Sequence, residues 1–326
     1  MKAFYIGFFT ISFVFGTLVA NTLYYWQNLS NATVSFEYGE PGPYTMVEET
    51  FKNPEWRTGE KVSVFFPAEL TEPVPVLFFL HGFGCTNWKG YKTLITHLVS
   101  KGFAVVYTPY PSIGITTRVS ERYDILWDGF IEATDRYATR FDLKRVGFLG
   151  HSFGAGAIPA IAWKGLVEEG WGRQGAFLFL MAPWYVHDMT DKEMDAFPED
   201  ANIIIQVYDE DSICDHRMAI DVFENIGTPY SRKAYYNVEK GFFSAEHSVP
   251  SDRRVNELDR LAILTPLDAL IDFTFEINDP NDGYDYALKG KGVHFQHEVT
   301  KYPEVIANES KYQWRWSSNL NPRYDE

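Results

Sequence analysis

FLGHSFGAGA, Phe148 to Ala157, sets a serine between two glycines, with a short apolar run before it and small residues after it. Residues 145–149 read as a strand and the residues after Ser152 as a helix, so Gly150-His151-Ser152-Phe153-Gly154 reads as a tight strand-to-helix turn. Such a turn sets a serine hydroxyl at a helix start, where free N–H groups favour negative charge. Neighbours without side chains let strand and helix approach closely. A serine between glycines also occurs in ordinary tight turns. Its meaning therefore depends on whether the chain adds an anion-binding turn, an acid and a base in the right order.

Outward from this turn, apolar runs alternate with longer helical patterns. Strands are expected at 44–51, 61–66, 76–80, 104–108, 145–149, 176–181, 202–208 and 233–238. VLFFL and AFLFLM are unbroken apolar runs, the pattern of strands covered on both faces of a parallel sheet. Helical spacing marks 91–102 and the stretch after a cap candidate at Ser120, with an apolar stripe at Ile125, Leu126, Phe130 and Ile131. It also marks the segment after Ser152 and RLAILTPLDALIDFTFE, Arg260 to Glu276. Hairpins followed by strand–helix alternation predict an α/β fold with a mostly parallel eight-stranded sheet, antiparallel near its start, and helices on both faces.

With 45% hydrophobic and 17% aromatic residues among 326, the chain can fill a sizeable core. A net charge of −15 argues against nucleic acid as a partner. Lys2 precedes an uncharged, mostly apolar run to about Trp26, with the small residue Ala20 inside it. Three readings stay open: a signal peptide over 1–20, an uncleaved membrane anchor with Tyr24, Tyr25 and Trp26 at interfacial depth, or a buried helix. Either of the first two exports the rest of the chain, as a secreted protein or one attached to a membrane. Residues 21–33 read as a linker, and 34–326 as a single catalytic domain with a C-terminal extension from about 252. Asn28, Asn31 and Asn308 head glycosylation sequons. Cys85 and Cys214 are the only cysteines, and whether they pair stays open.

The strand at 76–80 ends in His81-Gly82-Phe83-Gly84. A tetrahedral intermediate needs two donors aimed at its oxygen, and the N–H groups of Phe83 and of Phe153, the residue after the serine, are the candidates. His81 reads as part of the turn. The strand at 202–208 runs into Asp209, Glu210, Asp211 and Asp215, carboxylates that repel one another unless something positive answers them. Spacing alone does not choose between Asp209 and Asp211. Of the histidines after Ser152, His187 precedes the acids and His216 lies too close to them. His247, in a loop after the final strand, fits a Ser…Asp…His order, with His294 and His297 in reserve.

In this order the chain resembles an α/β-hydrolase, and more narrowly the exported polyester hydrolase, cutinase-like and dienelactone hydrolase-like branch. GPYTMVEETF is similar to the opening strand of that branch. LFFLHGFG and KGFAVVYTPYP resemble its oxyanion loop and fourth strand, GHSFGAG its elbow and LMAPW the end of its sixth strand. DEDSICD resembles its acid loop, and AEHS its histidine loop. The resemblance covers about residues 40–250. It implies the triad Ser152, Asp211 and His247, choosing Asp211 because Asp-Ser-Ile follows the acid in that pattern. It implies Phe83 and Phe153 as oxyanion donors and Trp184 as an aromatic wall of the substrate pocket. Phe153 is bulkier than the residue usual there, and the extension past Asp252 is long for that branch.

The activity this implies is cleavage of a small-molecule or polymer carboxylic ester through an acyl-enzyme, with no cofactor and no metal. An acyltransferase or serine peptidase would use the same groups, and a non-catalytic binding protein is the reading from another class. The segment between Trp184 and Asn202 is short and acidic, so an accessible site without a large lid is expected.

Overall fold

The computed structural model describes residues 37–112, 117–253, 255–291, 296–297 and 309–324. The expected signal or anchor segment, the linker, the sequons at Asn28, Asn31 and Asn308, and His294 lie outside them. Strands β1 (Met46–Lys52) and β2 (Lys61–Pro67) form an antiparallel hairpin. They are followed by β3 (Val74–Leu80), β4 (Ala104–Tyr107), β5 (Phe141–His151), β6 (Ala176–Met181), β7 (Asn202–Tyr208) and β8 (Lys233–Val238). The order across the sheet is β1-β2-β4-β3-β5-β6-β7-β8. β2 is antiparallel to both neighbours, and every pair from β4 to β8 is parallel. A two-residue strand, β9 (Gln296–His297), pairs antiparallel with β8 and adds a ninth member, too short to carry a periodic signal.

Several boundaries differ from the sequence reading, and two of the differences have a clear physical cause. β5 begins at Phe141 because Val74 pairs with Phe141 before a register shift between Pro75 and Val76. Asp142 and Lys144, in the part that precedes the expected start at Arg145, hide the apolar pattern. The helix expected after a cap at Ser120 starts two residues earlier, as α2 (Val119–Arg136), with Arg118 at the N-cap position. The Glu121 carboxylate reaches back to accept the Arg118 N–H at 3.1 Å, which removes the need for a serine cap.

The remaining helices are α1 (Lys92–Ser100), α3 (Phe153–Trp163), α4 (Asp191–Asp195), α5 (His216–Asn225), α6 (Thr265–Phe275) and α7 (Pro280–Leu288). They cover both faces, because alternate residues of each strand point opposite ways. Phe78 packs on Phe130 of α2, on Phe148 and on Trp171. Its neighbour Phe79 packs on Tyr91 and Tyr107 on the other side. Phe275 of α6 packs against Phe177 on that second face. All seven residues of β3 and of β7 are buried, which accounts for their unbroken apolar character.

β3 and β5 lie side by side, with Leu80 opposite Gly150. The loop after β3 and the turn after β5 therefore emerge together at the carboxyl edge, where the strand order reverses and α/β sheets open a crevice. The turn is tight: a Cβ on Gly154 would stand 2.1 Å from the Leu80 carbonyl oxygen. Gly154→Ala is expected to destabilise the fold by about 3 kcal/mol or more. Gly90, where an added Cβ meets nothing within 4 Å, is the control. Gly90→Ala should stay within about 0.5 kcal/mol of wild type in urea unfolding, and equal effects at the two positions would contradict this account of the elbow.

Candidate active site

Ser152 joins β5 to α3 with φ +57° and ψ −121°, a backbone state that residues with a side chain rarely adopt. Its surroundings over-determine that state. The Ser152 N–H donates to the Met181 carbonyl at 2.9 Å, and the Ser152 carbonyl accepts from Gly156 and Trp184, each at 3.0 Å. Phe153 is the first residue of α3, so its N–H has no partner within the helix. Across the crevice, no acceptor among the described residues takes the Phe83 N–H.

The loop after β7 separates the acidic residues. Asp209 is exposed, whereas Asp211 is fully buried. The Asp211 N–H returns to the Tyr208 carbonyl at 2.9 Å, which turns its carboxylate inward. Asp211 Oδ1 accepts the Ile213 and Cys214 N–H groups at 2.6 and 3.2 Å. Oδ2 lies 2.8 Å from His247 Nδ1. A buried carboxylate needs such donors, and the imidazole N–H supplies the last of them. The proton on His247 is thereby held at Nδ1, which leaves Nε2 free to accept one. Asp215, by contrast, caps α5 and pairs with Arg217.

Ser152, His247, Phe83, Phe153 and Trp184 line one cavity of about 880 Å³. Trp184 stacks on Phe153 with ring centres 5.6 Å apart. The other histidines have different surroundings. His216 Nε2 donates to the Tyr208 carbonyl, His187 lies between Trp184 and Tyr123, and His297 is in β9. His81 Nδ1 donates to the Gly82 carbonyl at 2.8 Å, and Nε2 accepts the Tyr110 N–H at 3.3 Å. It braces the turn before Phe83 as a neutral ring.

Two further cavity residues bear on the site. Cys214 is buried beside Ser152, and both cysteines are free thiols. Burial, helped by the Asp211 charge, pushes the Cys214 thiol well above its ordinary range, so of the neighbouring pair Ser152 is the nucleophile candidate. Trp314 comes from the C-terminal extension and meets Trp184 edge-on at 5.5 Å. That segment is stitched to the acid loop: Gln313 and Trp314 donate to the Ser212 and Ile213 carbonyls at 2.8 Å each, and Asp215 donates to the Trp314 carbonyl at 3.0 Å. The aromatic density of YQWRW was the only signal for it.

Among the described residues, no group of three or more His, Cys, Asp or Glu side chains is arranged to hold a metal ion, and no helix is long and apolar enough to cross a membrane. No family model matches the chain, and no curated protein sequence matches it.

Burial lowers His81 from an ordinary value of 6.5 to about 4 and pushes His151 well below its ordinary value. The unfolded chain therefore takes up these protons first as pH falls. Stability is fully present above about pH 6.5 and is lost as pH drops toward 4, by on the order of 3 kcal/mol for His81 alone. Melting midpoints should fall steadily over that window, with the His81 ring proton shifts staying those of neutral imidazole until the fold is lost. Midpoints that stay flat would contradict this.

Proposed function

We propose that the chain is a serine hydrolase of the α/β-hydrolase superfamily, exported from the cell, that cleaves carboxylic esters through an acyl-enzyme on Ser152. The observation that carries this reading is the 2.8 Å contact between His247 Nδ1 and a fully buried Asp211, in the loops that flank a strained serine. The strand order, with β2 antiparallel and the remaining central strands parallel, agrees with the resemblance of the sequence motifs to that superfamily.

In the proposed reaction, His247 Nε2 takes the hydroxyl proton as Ser152 Oγ attacks the ester carbonyl. Asp211 keeps the ring in the required tautomer and stabilises its positive charge while the intermediate exists. The Phe83 and Phe153 N–H groups receive the oxyanion, and removing one such donor typically costs about 3 kcal/mol. Collapse expels the alcohol with the proton from His247. Water, deprotonated by the same imidazole, then releases the acid and regenerates Ser152. Phe83, Phe153, Trp184 and Trp314 give the cavity apolar walls suited to the hydrocarbon part of a small or polymeric ester.

Hydrolysis of a short p-nitrophenyl ester by the purified chain is the test. Ser152→Ala should lower kcat by roughly 10⁴-fold or more while the protein stays folded. Asp211→Asn should cost about 10³- to 10⁴-fold, and Asp209→Asn less than about threefold. Unchanged hydrolysis by Ser152→Ala, or a reversed ranking of the two aspartates, would overturn the assignment.

A further inference from the structure

Behind Ser152 lies a group of buried polar side chains with no role in the reaction as written. Tyr91 and His151 are 0% and 5% exposed. Tyr91 immediately precedes α1, and His151 is the last residue of β5. The Gly82 N–H donates to Tyr91 Oη at 2.9 Å, and Tyr91 Oη lies 2.8 Å from His151 Nδ1. His151 Nε2 lies 2.8 Å from the carbonyl oxygen of His247. A carbonyl oxygen only accepts, so the His151 proton sits on Nε2, and Nδ1 is left to accept from Tyr91. The directions then run one way: Gly82 N–H to Tyr91, Tyr91 O–H to His151, His151 N–H to the His247 carbonyl.

We infer that His151 and Tyr91 are positioning residues, a directed hydrogen-bond chain that pins the His247 loop and the Phe83 turn to the Ser152 elbow. The inference rests on the reading of Ser152, Asp211 and His247 as the triad. Asp211 orients the imidazole of His247, but the backbone that carries this ring leaves β8 at Val238 and, among the described residues, meets no strand or helix before the π-helical turn that opens at Asp259. Further anchors lie to either side: the Glu210 N–H donates to the Ala245 carbonyl at 2.8 Å, the Asp252 N–H to the Gly90 carbonyl at 2.7 Å, and the Asp252 carboxylate accepts the Thr93 N–H at 3.0 Å. His151 supplies the anchor at His247 itself, from a strand end adjacent in sequence to the nucleophile.

The other end of the chain acts on the oxyanion turn. Tyr91 takes the N–H of the His81–Gly82 peptide, which holds the turn one peptide unit before the one that carries the Phe83 N–H. The packing leaves no slack, since a Cβ on Gly82 would stand 3.0 Å from His151 Nδ1, 3.1 Å from Tyr91 Oη and 3.4 Å from Ser152 Cβ. Attack geometry tolerates only small displacements, so losing this pin should act on the chemical step rather than on binding. Burial, with the neighbouring His247, keeps His151 neutral, so no second cation opposes the imidazolium formed during the reaction.

The test is kcat and KM for a short p-nitrophenyl ester, measured on the full chain and four variants beside their melting midpoints. His151→Leu removes both bonds, His151→Gln keeps a donor at the distance of Nε2, His151→Asn keeps only a shorter amide, and Tyr91→Phe removes the middle link. His151→Leu should lower kcat about 100-fold with KM changed less than about twofold. Gln should recover at least about tenfold of that loss and Asn should not, whereas Tyr91→Phe should lose about tenfold. Wild-type kcat in His151→Leu would overturn the inference. So would equal losses in Gln and Asn that merely follow their melting midpoints. A wild-type chain without esterase activity overturns the reading of the site and this inference with it, whereas an active wild type with a flat variant series removes the inference alone.

Discussion

Where β3 and β5 run parallel at the centre of the sheet, Leu80 faces Gly150, and the backbones that follow are close enough to leave no space for a Cβ on Gly154. That contact fixes the relation between the Phe83 turn and the Ser152 elbow. The strain at Ser152 persists because its N–H is bonded to the last residue of β6 and its carbonyl to the segment that follows. Everything else at the carboxyl edge is arranged around this pair. β7 delivers Asp211 and β8 delivers His247, and pairing of those two strands brings their loops within reach of one another.

The electrostatics follow from burial. One carboxylate, Asp211, is taken out of water and satisfied by two backbone N–H groups and an imidazole. The histidines behind it are the opposite case. His81 and His151 are buried without a carboxylate and stay neutral, acting as donors and acceptors of fixed direction. Three neighbouring imidazoles thus divide into a half-buried one, His247, that faces a charge and two buried ones that do not.

The inner strands were legible because strands covered on both faces are written as apolar runs, and Val74–Leu80 and Asn202–Tyr208 are buried throughout. The start of β5 was hidden by Asp142 and Lys144, charged residues tolerated beside a register shift. The serine, the histidine and the two N–H groups could be read from their order along the chain. The choice between Asp209 and Asp211 could not be read from period-two spacing, because it depends on a turn that buries one and exposes the other. Trp314 and the Tyr91–His151 chain were illegible for a simpler reason. Their partners are distant in sequence, and only the folded chain brings them together.

The central claim is that Ser152, activated by His247, is the nucleophile. Its most direct measurement is incubation with a fluorophosphonate, followed by intact mass and peptide mapping. The account predicts a single adduct, on Ser152, formed by the wild-type chain and lost in His247→Ala. An adduct on another residue, or none on a folded wild-type chain, would contradict it.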